Sequence, residues 1–236
     1  MERLQKIIAQ SGYTSRRNAE KLIAEGKVLV NGKIINTLGA KAEYSDTIEV
    51  EGKTISTFED KVYILLNKPR GIISSASDEK GRKTVVDLID TDKRIYPVGR
   101  LDYDTTGLLI LTNDGELANK LMHPKGNVPK TYLAKINGII DAEAINKLKK
   151  GVEVEGKKVN IVDFKVKKKD FNSNMTYISI TIIEGRNHIV KNLFKELGYL
   201  VEKLTRTNYA FLDLGNLKSG EYRYLTIKEV KKLYSI

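Results

Sequence analysis

A polar segment followed directly by an apolar run divides this chain near residue 60. Residues 51–60, EGKTISTFED, contain few large apolar side chains, which is typical of a linker. Residues 62–66, VYILL, are apolar without interruption, which is typical of a strand that is buried on both faces. A chain of 236 residues is long enough for a small domain and a medium one. We therefore predict two domains, residues 1–58 and residues 61–236.

The second segment contains more predicted strands than helices, and the two types do not alternate strictly. After the run at 62–66, strands are predicted at 95–98, 108–112, 132–136, 159–166, 176–182 and 201–205. Helices are predicted at 85–89, 116–122, 142–149, 188–197 and 227–233. This order favours an α+β domain, with a central and mainly antiparallel sheet flanked by helices, over a doubly wound parallel sheet.

The first segment predicts a compact helix-helix-hairpin unit. Apolar residues recur at helical spacing within the first ten positions. Ser15 is a typical N-cap residue for a second helix at 16–24. Asn31-Gly32 predicts a two-residue hairpin turn, because both residue types accept the positive φ of a type I′ turn. A further strand is predicted at 47–50.

The formal net charge is +11, from 41 basic and 30 acidic residues. This excess indicates a polyanionic partner such as nucleic acid, and a solvated lysine-rich surface is the alternative. The absence of Cys excludes disulfides and thiolate metal sites, and two His residues are too few for a His-rich metal site. No apolar run approaches the roughly 20 residues of a membrane span, and the first residues do not resemble a signal peptide. We therefore expect a cytoplasmic protein.

The densest group of reactive side chains lies in the stretch 99–115, GRLDYDTTGLLILTNDG, which begins with a polar loop between the strands predicted at 95–98 and 108–112. Asp102 and Asp104 place two carboxylates in a polar loop, which is a common position for reactive groups. Asp-x-Asp also begins a calcium loop, but the Glu that an EF-hand has at its twelfth position is missing. Glycoside hydrolysis would require a second carboxylate across a sugar site, and the chain has no Trp for a sugar platform. On the residues alone, a plain Asp-rich turn stays open as an alternative.

Four blocks of residues follow one another along the second segment. They are 66–71 (LNKPRG), 99–124 (GRLDYDTTGLLILTNDGELANKLMHP), 130–132 (KTY) and 184–198 (EGRNHIVKNLFKELG). In this order they resemble the ribosomal RNA pseudouridine synthases of the Rsu/Rlu-B type. In the first segment, SRRNAE and GKVLVNG resemble the S-four-like (alpha-L) RNA-binding module. The resemblance covers essentially the whole chain.

The resemblance implies a reaction that uses no cofactor and no metal, in which the N-glycosidic bond of a uridine is cut and C5 is joined to C1′. Asp102 would be the ionised carboxylate that starts base detachment, either by attack or by removal of a sugar proton. Burial disfavours this charge, so a cation should lie nearby, and Lys191 stands where most relatives have Arg. Tyr132 would stack on the uracil and help to remove the C5 proton. For Tyr132 the alternative is an ordinary core aromatic residue.

The target base has to leave its stack to reach the catalytic carboxylate. Arg100 would fill the vacated space or hold the RNA backbone, and a salt bridge to Asp104 is the alternative. Several further cations are expected to contact RNA phosphates, with surface solvation as their alternative. They are Lys68, Arg70, Arg186 and His188 in the second domain, and Arg16 and Arg17 at the start of the second helix.

The predicted partner is ribosomal RNA, 23S rather than 16S, and the protein is predicted to be a monomer without a membrane partner or a small-molecule cofactor. The alternatives are a 16S or transfer RNA target, or a non-catalytic RNA-binding factor for ribosome assembly. The chain departs from the family pattern at Ile189, where relatives usually have Gln or Glu, and at Asn192, where they have Arg. These changes remove a polar group and a cation, and we expect them to affect RNA affinity more than the reaction.

Overall fold

The computed structural model describes residues 1–236, which divide into two compact units. The first unit comprises Met1–Val62, Asp90–Ile95 and Thr112–Gly115. The second unit comprises Tyr63–Ile89, Tyr96–Leu111 and Glu116–Ile236. None of the helices has both the length and the apolar character that crossing a membrane requires.

The first unit contains two helices and several short strands. The helices are α1 (Leu4–Gln10) and α2 (Arg16–Ala24). The strands are β1 (Glu2–Arg3), β2 (Val28–Val30), β3 (Lys33–Ile34), β4 (Lys41–Ala42), β5 (Ile48–Val50) and β6 (Lys53–Thr54). β3, β2, β5 and β6 form an antiparallel sheet in that order, and β1 pairs with β4. The sheet therefore contains the predicted hairpin (β2 and β3) and the strand predicted at 47–50 (β5), with β6 beyond it.

Local sequence explains the ends of these elements. Asn31 and Gly32, between β2 and β3, have φ values of 50° and 77°, the two positive values that a type I′ turn requires. α2 begins after Ser15, whose Oγ accepts a hydrogen bond from the N–H of Asn18 at 3.1 Å. The buried core joins both helices to the strands through Leu4, Ile7, Ile8, Ala19, Leu22, Ile23, Val28, Ala42, Ile48 and Val50.

The second unit is built on one large mixed sheet. Its strands are β7 (Tyr63–Lys68), β8 (Tyr96–Pro97), β9 (Thr106–Thr112), β10 (Lys130–Asn137), β11 (Glu153–Val154), β12 (Lys157–Lys158), β13 (Ile161–Asp170), β14 (Met175–Ile182), β15 (Val201–Tyr209), β16 (Leu212–Asp213) and β17 (Tyr222–Tyr224). The order across the sheet is β13-β14-β10-β15-β9-β7-β17, with β8 beside β9 and β16 beside β15, whereas β11 and β12 pair separately. β13, β14, β10 and β15 are successively antiparallel, and so are β7 and β17. β9 and β15 are parallel, which the sequence does not predict.

The parallel pairing of β9 with β15 depends on Gly107. This residue has a φ of +107°, and a Cβ placed here would lie 2.2 Å from the carbonyl oxygen of Arg206. Only glycine accepts both the backbone conformation and so close an approach of another backbone. Gly107 therefore allows β15 to lie directly beside the start of β9.

The helices of the second unit are α3 (Gly115–Met122), α4 (Ala142–Lys150), α5 (Ile189–Glu196) and α6 (Ile227–Tyr234). Leucines of α3 and α6 pack with leucines of β7 and β9 in one buried cluster. The helix predicted at 85–89 is only a 3-10 turn, Val86–Leu88. The Asp87 side chain accepts a hydrogen bond from the N–H of Thr84 at 2.7 Å, which favours a tight turn over a continuing helix.

Candidate active site

The loop that precedes β9 is hydrogen-bonded to the segment that follows β7. We call residues 99–105 the Asp102 loop. Ser74 Oγ donates a hydrogen bond to the carbonyl of Leu101 at 2.7 Å and accepts one from its N–H at 3.1 Å. The N–H of Gly71 donates to the carbonyl of Tyr103 at 2.8 Å. A loop fixed in this way can hold a reactive side chain in one position.

Lys68, at the end of β7, is a further anchor of the Asp102 loop. Its side chain is fully buried, and Nζ donates hydrogen bonds to the carbonyls of Asp102 (3.1 Å), Thr105 (3.0 Å) and Pro69 (3.1 Å). Burial lowers the pKa of Lys68 to about 8, and attraction to Asp102 and Asp104 opposes this change. An ammonium group has three N–H donors, and all three are used here. The expectation that Lys68 contacts an RNA phosphate is therefore wrong, and its side chain instead holds the loop.

Three side chains surround the carboxylate of Asp102, which is 27% exposed. Lys191 Nζ lies 2.9 Å from Oδ2, and His188 Nε2 lies 3.3 Å from Oδ1. Thr105 Oγ1 donates a weak hydrogen bond to Oδ2 at 3.4 Å. Lys191 thus lies beside Asp102 as the sequence predicts, and its positive charge offsets the cost of partly burying the carboxylate.

Lys191 is shared between two carboxylates. Its Nζ also lies 2.7 Å from Oδ1 of Asp104. Burial acts to lower the pKa of Lys191, but its hydrogen bonds to Asp104 and Asp102 outweigh burial and raise the pKa. The same hydrogen bond from Lys191 lowers the pKa of Asp104. Asp104 thus has Lys191 as its ion-pair partner, and the alternative salt bridge between Asp104 and Arg100 is not formed.

The partners of Asp102 come from the beginning of α5. His188 is the N-cap of this helix, with φ 51° and ψ 21°, a left-handed conformation that is uncommon for residues other than glycine. Ile189 is buried at 6% exposure and anchors the first turn. The sequence predicts a phosphate contact for His188, whereas the structure also brings its ring to the carboxylate of Asp102. Its position beside an acid shows that a histidine is part of this site.

Asp102 lies at a cleft of about 1390 Å³ within the second unit. Tyr132 of β10 lines the cleft together with Arg206 and Tyr209 of β15. Tyr132 and Arg206 are direct partners in the register of these strands. The Tyr132 side chain is largely buried at 9% exposure, so its position is well fixed. The cleft is large enough for a nucleotide, and an aromatic ring on its wall suits stacking of a base.

Two cations of this cleft, Arg206 and Lys130, have roles that the sequence does not predict. Arg206 is 2% exposed; its Nε donates to the carbonyl of Leu108 at 2.7 Å, and its Nη2 has no hydrogen-bond partner. Arg206 Cζ and Lys130 Nζ lie 5.1 Å and 5.4 Å from the ring centre of Tyr209. Burial, together with repulsion by Arg206, lowers the pKa of Lys130 to about 8. The available sequence signal is strand alternation, which puts Arg206 on the same face of β15 as the buried Leu204.

Arg186 forms several contacts within the protein. It forms an ion pair with Glu184 and donates to the carbonyls of Val154 (2.7 Å) and Lys157 (3.4 Å). The hydrogen bond with Glu184 raises the pKa of Arg186. These acceptors take three of the five N–H groups of the guanidinium, and Arg186 also lines the cleft, so its contact with an RNA phosphate stays a prediction.

The remaining predicted RNA-binding residues are exposed. Arg100 lines the cleft, and the positive charge of Arg70 helps to lower the pKa of Asp104. In the first unit, Arg16 and Arg17 occupy the first turn of α2 with exposed side chains. The site of the second unit therefore joins Asp102, Lys191, His188 and Tyr132, with Arg100 and Arg70 exposed in the same unit.

Comparison with known families shows to which family this chain belongs. A family model described as RNA pseudouridylate synthase matches residues 62–196, and a model of the S4 domain matches residues 2–48. The chain belongs to the RNA pseudouridylate synthase family. It is a pseudouridine synthase with an N-terminal S4 domain, which confirms the resemblance found in the sequence.

Relatives match this synthase along its whole length. It is 52% identical to "Ribosomal large subunit pseudouridine synthase B" of Bacillus subtilis, over 100% of this chain and 97% of that protein. It is 40% identical to an uncharacterised RNA pseudouridine synthase of Aquifex aeolicus, over 98% of this chain and 93% of that one. A crystal structure of a pseudouridylate synthase is 32% identical and covers 99% of this chain and 100% of its own, with a TM-score of 0.69.

Proposed function

We propose that this synthase isomerises a uridine of 23S ribosomal RNA, with Asp102 as its essential carboxylate. The large-subunit target rests on the 52% identity to the Bacillus subtilis enzyme, whose name assigns it to the large ribosomal subunit. The observation that carries the role of Asp102 is its place in an anchored loop at the cleft, 2.9 Å from Lys191. Asp104 is the weaker candidate, because it is more exposed, at 48% against 27%.

In this proposal the ionised Asp102 starts detachment of the uracil from C1′, and the freed base turns so that C5 can bond to C1′. Lys191 is a positioning residue that orients the carboxylate through their ion pair. The single positive charge of Lys191 is shared, because Nζ forms an ion pair with Asp102 and another with Asp104. His188 Nε2, at 3.3 Å, holds the other oxygen of Asp102.

Tyr132 would bind the uracil face and help to remove the C5 proton after the new bond has formed. Its fixed position on the cleft wall supports stacking on a base that has left the helix. Arg100 is exposed at the same cleft and would occupy the gap that the base leaves in the RNA. Arg70 and the outer edge of His188 would contact neighbouring phosphates.

The domain assignment is part of the proposal. Residues 1–58 would form the S4-like RNA-recognition domain and residues 61–236 the catalytic domain. The helix pair α1–α2 and the β2–β3 hairpin would form the RNA-contacting part of the first domain. Arg16 and Arg17 would contact phosphate there, supported by their exposure at the start of a capped helix.

A charge reversal tests the role of this helix. Changing Arg16 and Arg17 to Glu should weaken binding to 23S transcripts and lower the slope of log K against log salt by about 2. Filter binding at several salt concentrations measures this slope. Unchanged binding would contradict a phosphate contact and would mean that both arginines only solvate the end of the helix.

We further propose that the enzyme acts as a monomer in the cytoplasm and needs neither a cofactor nor a metal. Sedimentation of the purified protein tests the first point. Activity after dialysis against a chelator tests the last.

The target is tested by incubating separate 23S, 16S and transfer RNA transcripts with the protein and mapping pseudouridine by primer extension after carbodiimide treatment. The expected result is one modified position in 23S RNA. Modification of 16S or transfer RNA alone would contradict the large-subunit target. Binding of 23S RNA without any product, under conditions in which the Bacillus subtilis enzyme reacts, would favour a non-catalytic assembly factor.

A further inference from the structure

The central sheet has a second face, opposite the cleft, and its outer strands leave that face accessible. In β10 and β14 the buried residues alternate with half-buried ones. Tyr132 and Ile180 lie on the buried face, whereas Leu133, Tyr177 and Ser179 lie on the other. Because side chains of a strand alternate between faces, these half-buried residues form a continuous outer surface across several strands.

One rung of this outer surface is rich in lysine. Lys168 of β13 is opposite Tyr177 of β14, which is opposite Lys135 of β10, which is opposite Lys203 of β15. We call these four residues the lysine row. With strands about 4.8 Å apart, the row extends roughly 14 Å across the sheet. Lys135 Nζ and Lys168 Nζ each lie 6.0 Å from the ring centre of Tyr177.

A bulge in β13 brings Lys168 into this row. Val166 is opposite the buried Ile178, but the next paired residue, Lys168, is opposite Tyr177, so that Lys167 is the extra residue. Without the bulge, strand alternation would place Lys167 opposite Tyr177 and turn Lys168 to the inner face. Bulges commonly redirect side chains in this way next to functional sites.

The charges of the row are poorly compensated within the protein. Lys168 pairs with Asp170 at 2.9 Å, but neither Lys135 nor Lys203 has an ion-pair partner. Asp163 is two rungs away, opposite Thr181, and the exposed Glu202, which precedes Lys203, forms no ion pair with the row. Like charges directly opposite each other, as Lys135 and Lys203 are, destabilise a sheet. An external anion on the row would remove this cost.

A pocket of about 480 Å³ adjoins the row. Tyr177 and Leu133 supply its large side chains, and Ser179, Thr131 and Thr207 supply hydroxyl groups. Pockets of this size accept small organic groups, and an aromatic wall with nearby hydroxyls suits a nucleobase. The same surface therefore offers both an anion site and a base site.

We infer that this outer face is a second RNA-binding surface, which holds a single-stranded segment of the substrate RNA. The phosphates of the segment lie along the lysine row, and one base enters the pocket against Tyr177. The combination of a basic track with an aromatic platform is the usual one for single strands. This inference rests on the proposed RNA substrate, but it concerns the face of the sheet opposite the catalytic cleft.

Salt dependence tests the surface. The row variant carries Lys135→Gln, Lys168→Gln and Lys203→Gln, and a matched control carries Lys149→Gln, Lys150→Gln and Lys228→Gln, three exposed lysines elsewhere in the same unit. The probe is a fluorescein-labelled oligouridylate of about 12 nucleotides, titrated by anisotropy between about 50 and about 200 mM salt. The slope of log K against log salt should fall by about 2 in the row variant, and by less than half as much in the control. Equal slopes in the two variants would overturn the inference.

Crosslinking of the unaltered protein gives a second measurement that does not depend on how the variants fold. An oligonucleotide containing 4-thiouridine should crosslink under ultraviolet light to a peptide that contains Tyr177. Crosslinks confined to the cleft and the first unit would contradict the inference. A dimer of the unaltered protein in sedimentation without RNA would also contradict the inference if the row variant did not form it. The outer face would then bind a second copy of the protein and not RNA.

Product formation separates this inference from the proposed function. At saturating 23S transcript the row variant should keep the kcat of the unaltered protein, while its KM increases. If the row variant has a normal KM and forms the normal product, the second RNA-binding surface is contradicted, and the proposed function still holds. If the unaltered protein forms no product on 23S RNA, the proposed target fails, and the crosslinking result still decides whether the outer face binds RNA.

Discussion

The Asp102 loop and the lysine row belong to the same unit, but the charges are paired within the protein in the loop and largely unpaired in the row. In the loop, Asp102 and Asp104 share Lys191, and the backbone is fixed by hydrogen bonds from the buried Lys68. In the row, Lys135 and Lys203 face each other without an acidic partner. A reactive carboxylate needs a fixed position and a counter-charge before the substrate arrives. A surface that binds a polyanion instead gains when its charges are left for the ligand to neutralise.

The largest difference should appear when one lysine of each region is replaced by Met. Lys68→Met removes three hydrogen bonds from buried or partly buried carbonyls, so the free energy of unfolding should fall by about 3 kcal/mol. Lys135→Met should change it by less than about 0.5 kcal/mol, because its partner is only a distant ring. Urea denaturation measures both values. Similar losses in the two variants would remove the distinction between an anchored loop and an open surface.

A smaller effect is expected from the cation of the loop. Lys191→Gln should lower the single-turnover rate about 30-fold, on the order of 2 kcal/mol, because Asp102 loses its counter-charge. Lys191→Arg should restore most of the rate, because the charge is kept.

Lys203→Gln is the matched change in the row, and it should alter the salt dependence of binding but not the rate. A rate defect in Lys203→Gln, or a loss of rate in Lys191→Gln that Lys191→Arg does not rescue, would show that the two regions are not separated in this way.

Lys130 sharpens the comparison because it is a cleft cation without an ion-pair partner. Its pKa in the fold is about 8, below the ordinary value of 10.5. Between these two values the unfolded chain binds more protons than the folded one, so the free energy of unfolding should rise with pH in this window. Thermal denaturation at several pH values should show a smaller rise in Lys130→Met than in the unaltered protein. Parallel curves would mean that Lys130 keeps an ordinary pKa.

Elements with a strong local pattern could be predicted from sequence. α2 has the predicted bounds, since Ser15 and the apolar spacing define a capped helix locally. The turn at Asn31-Gly32 follows from the residues that tolerate positive φ. The ordered blocks identified the family, and Lys191 lies beside Asp102 as expected.

Features that depend on distant partners could not be predicted. Lys68 was expected at the surface, because nothing local indicates that its acceptors are carbonyls 34 and 37 positions further along the chain. The parallel pairing of β9 and β15 depends on Gly107 meeting the backbone of Arg206, which no periodicity reveals. The bulge at Lys167 decides which lysine of β13 stands opposite Tyr177, because a one-residue shift of register changes which face a side chain occupies.

The most direct test of the account compares Asp102→Asn with Asp104→Asn. The two residues lie in one loop and share Lys191, so each variant removes one carboxylate from the same cation. The measurement is the single-turnover rate of pseudouridine formation in 23S transcripts, with RNA binding measured in parallel. Asp102→Asn should lower the rate on the order of 10⁴-fold or more with binding retained, whereas Asp104→Asn should lower it less than about tenfold. Product formation by Asp102→Asn at a rate close to that of the unaltered protein would contradict the assignment of Asp102 as the essential carboxylate.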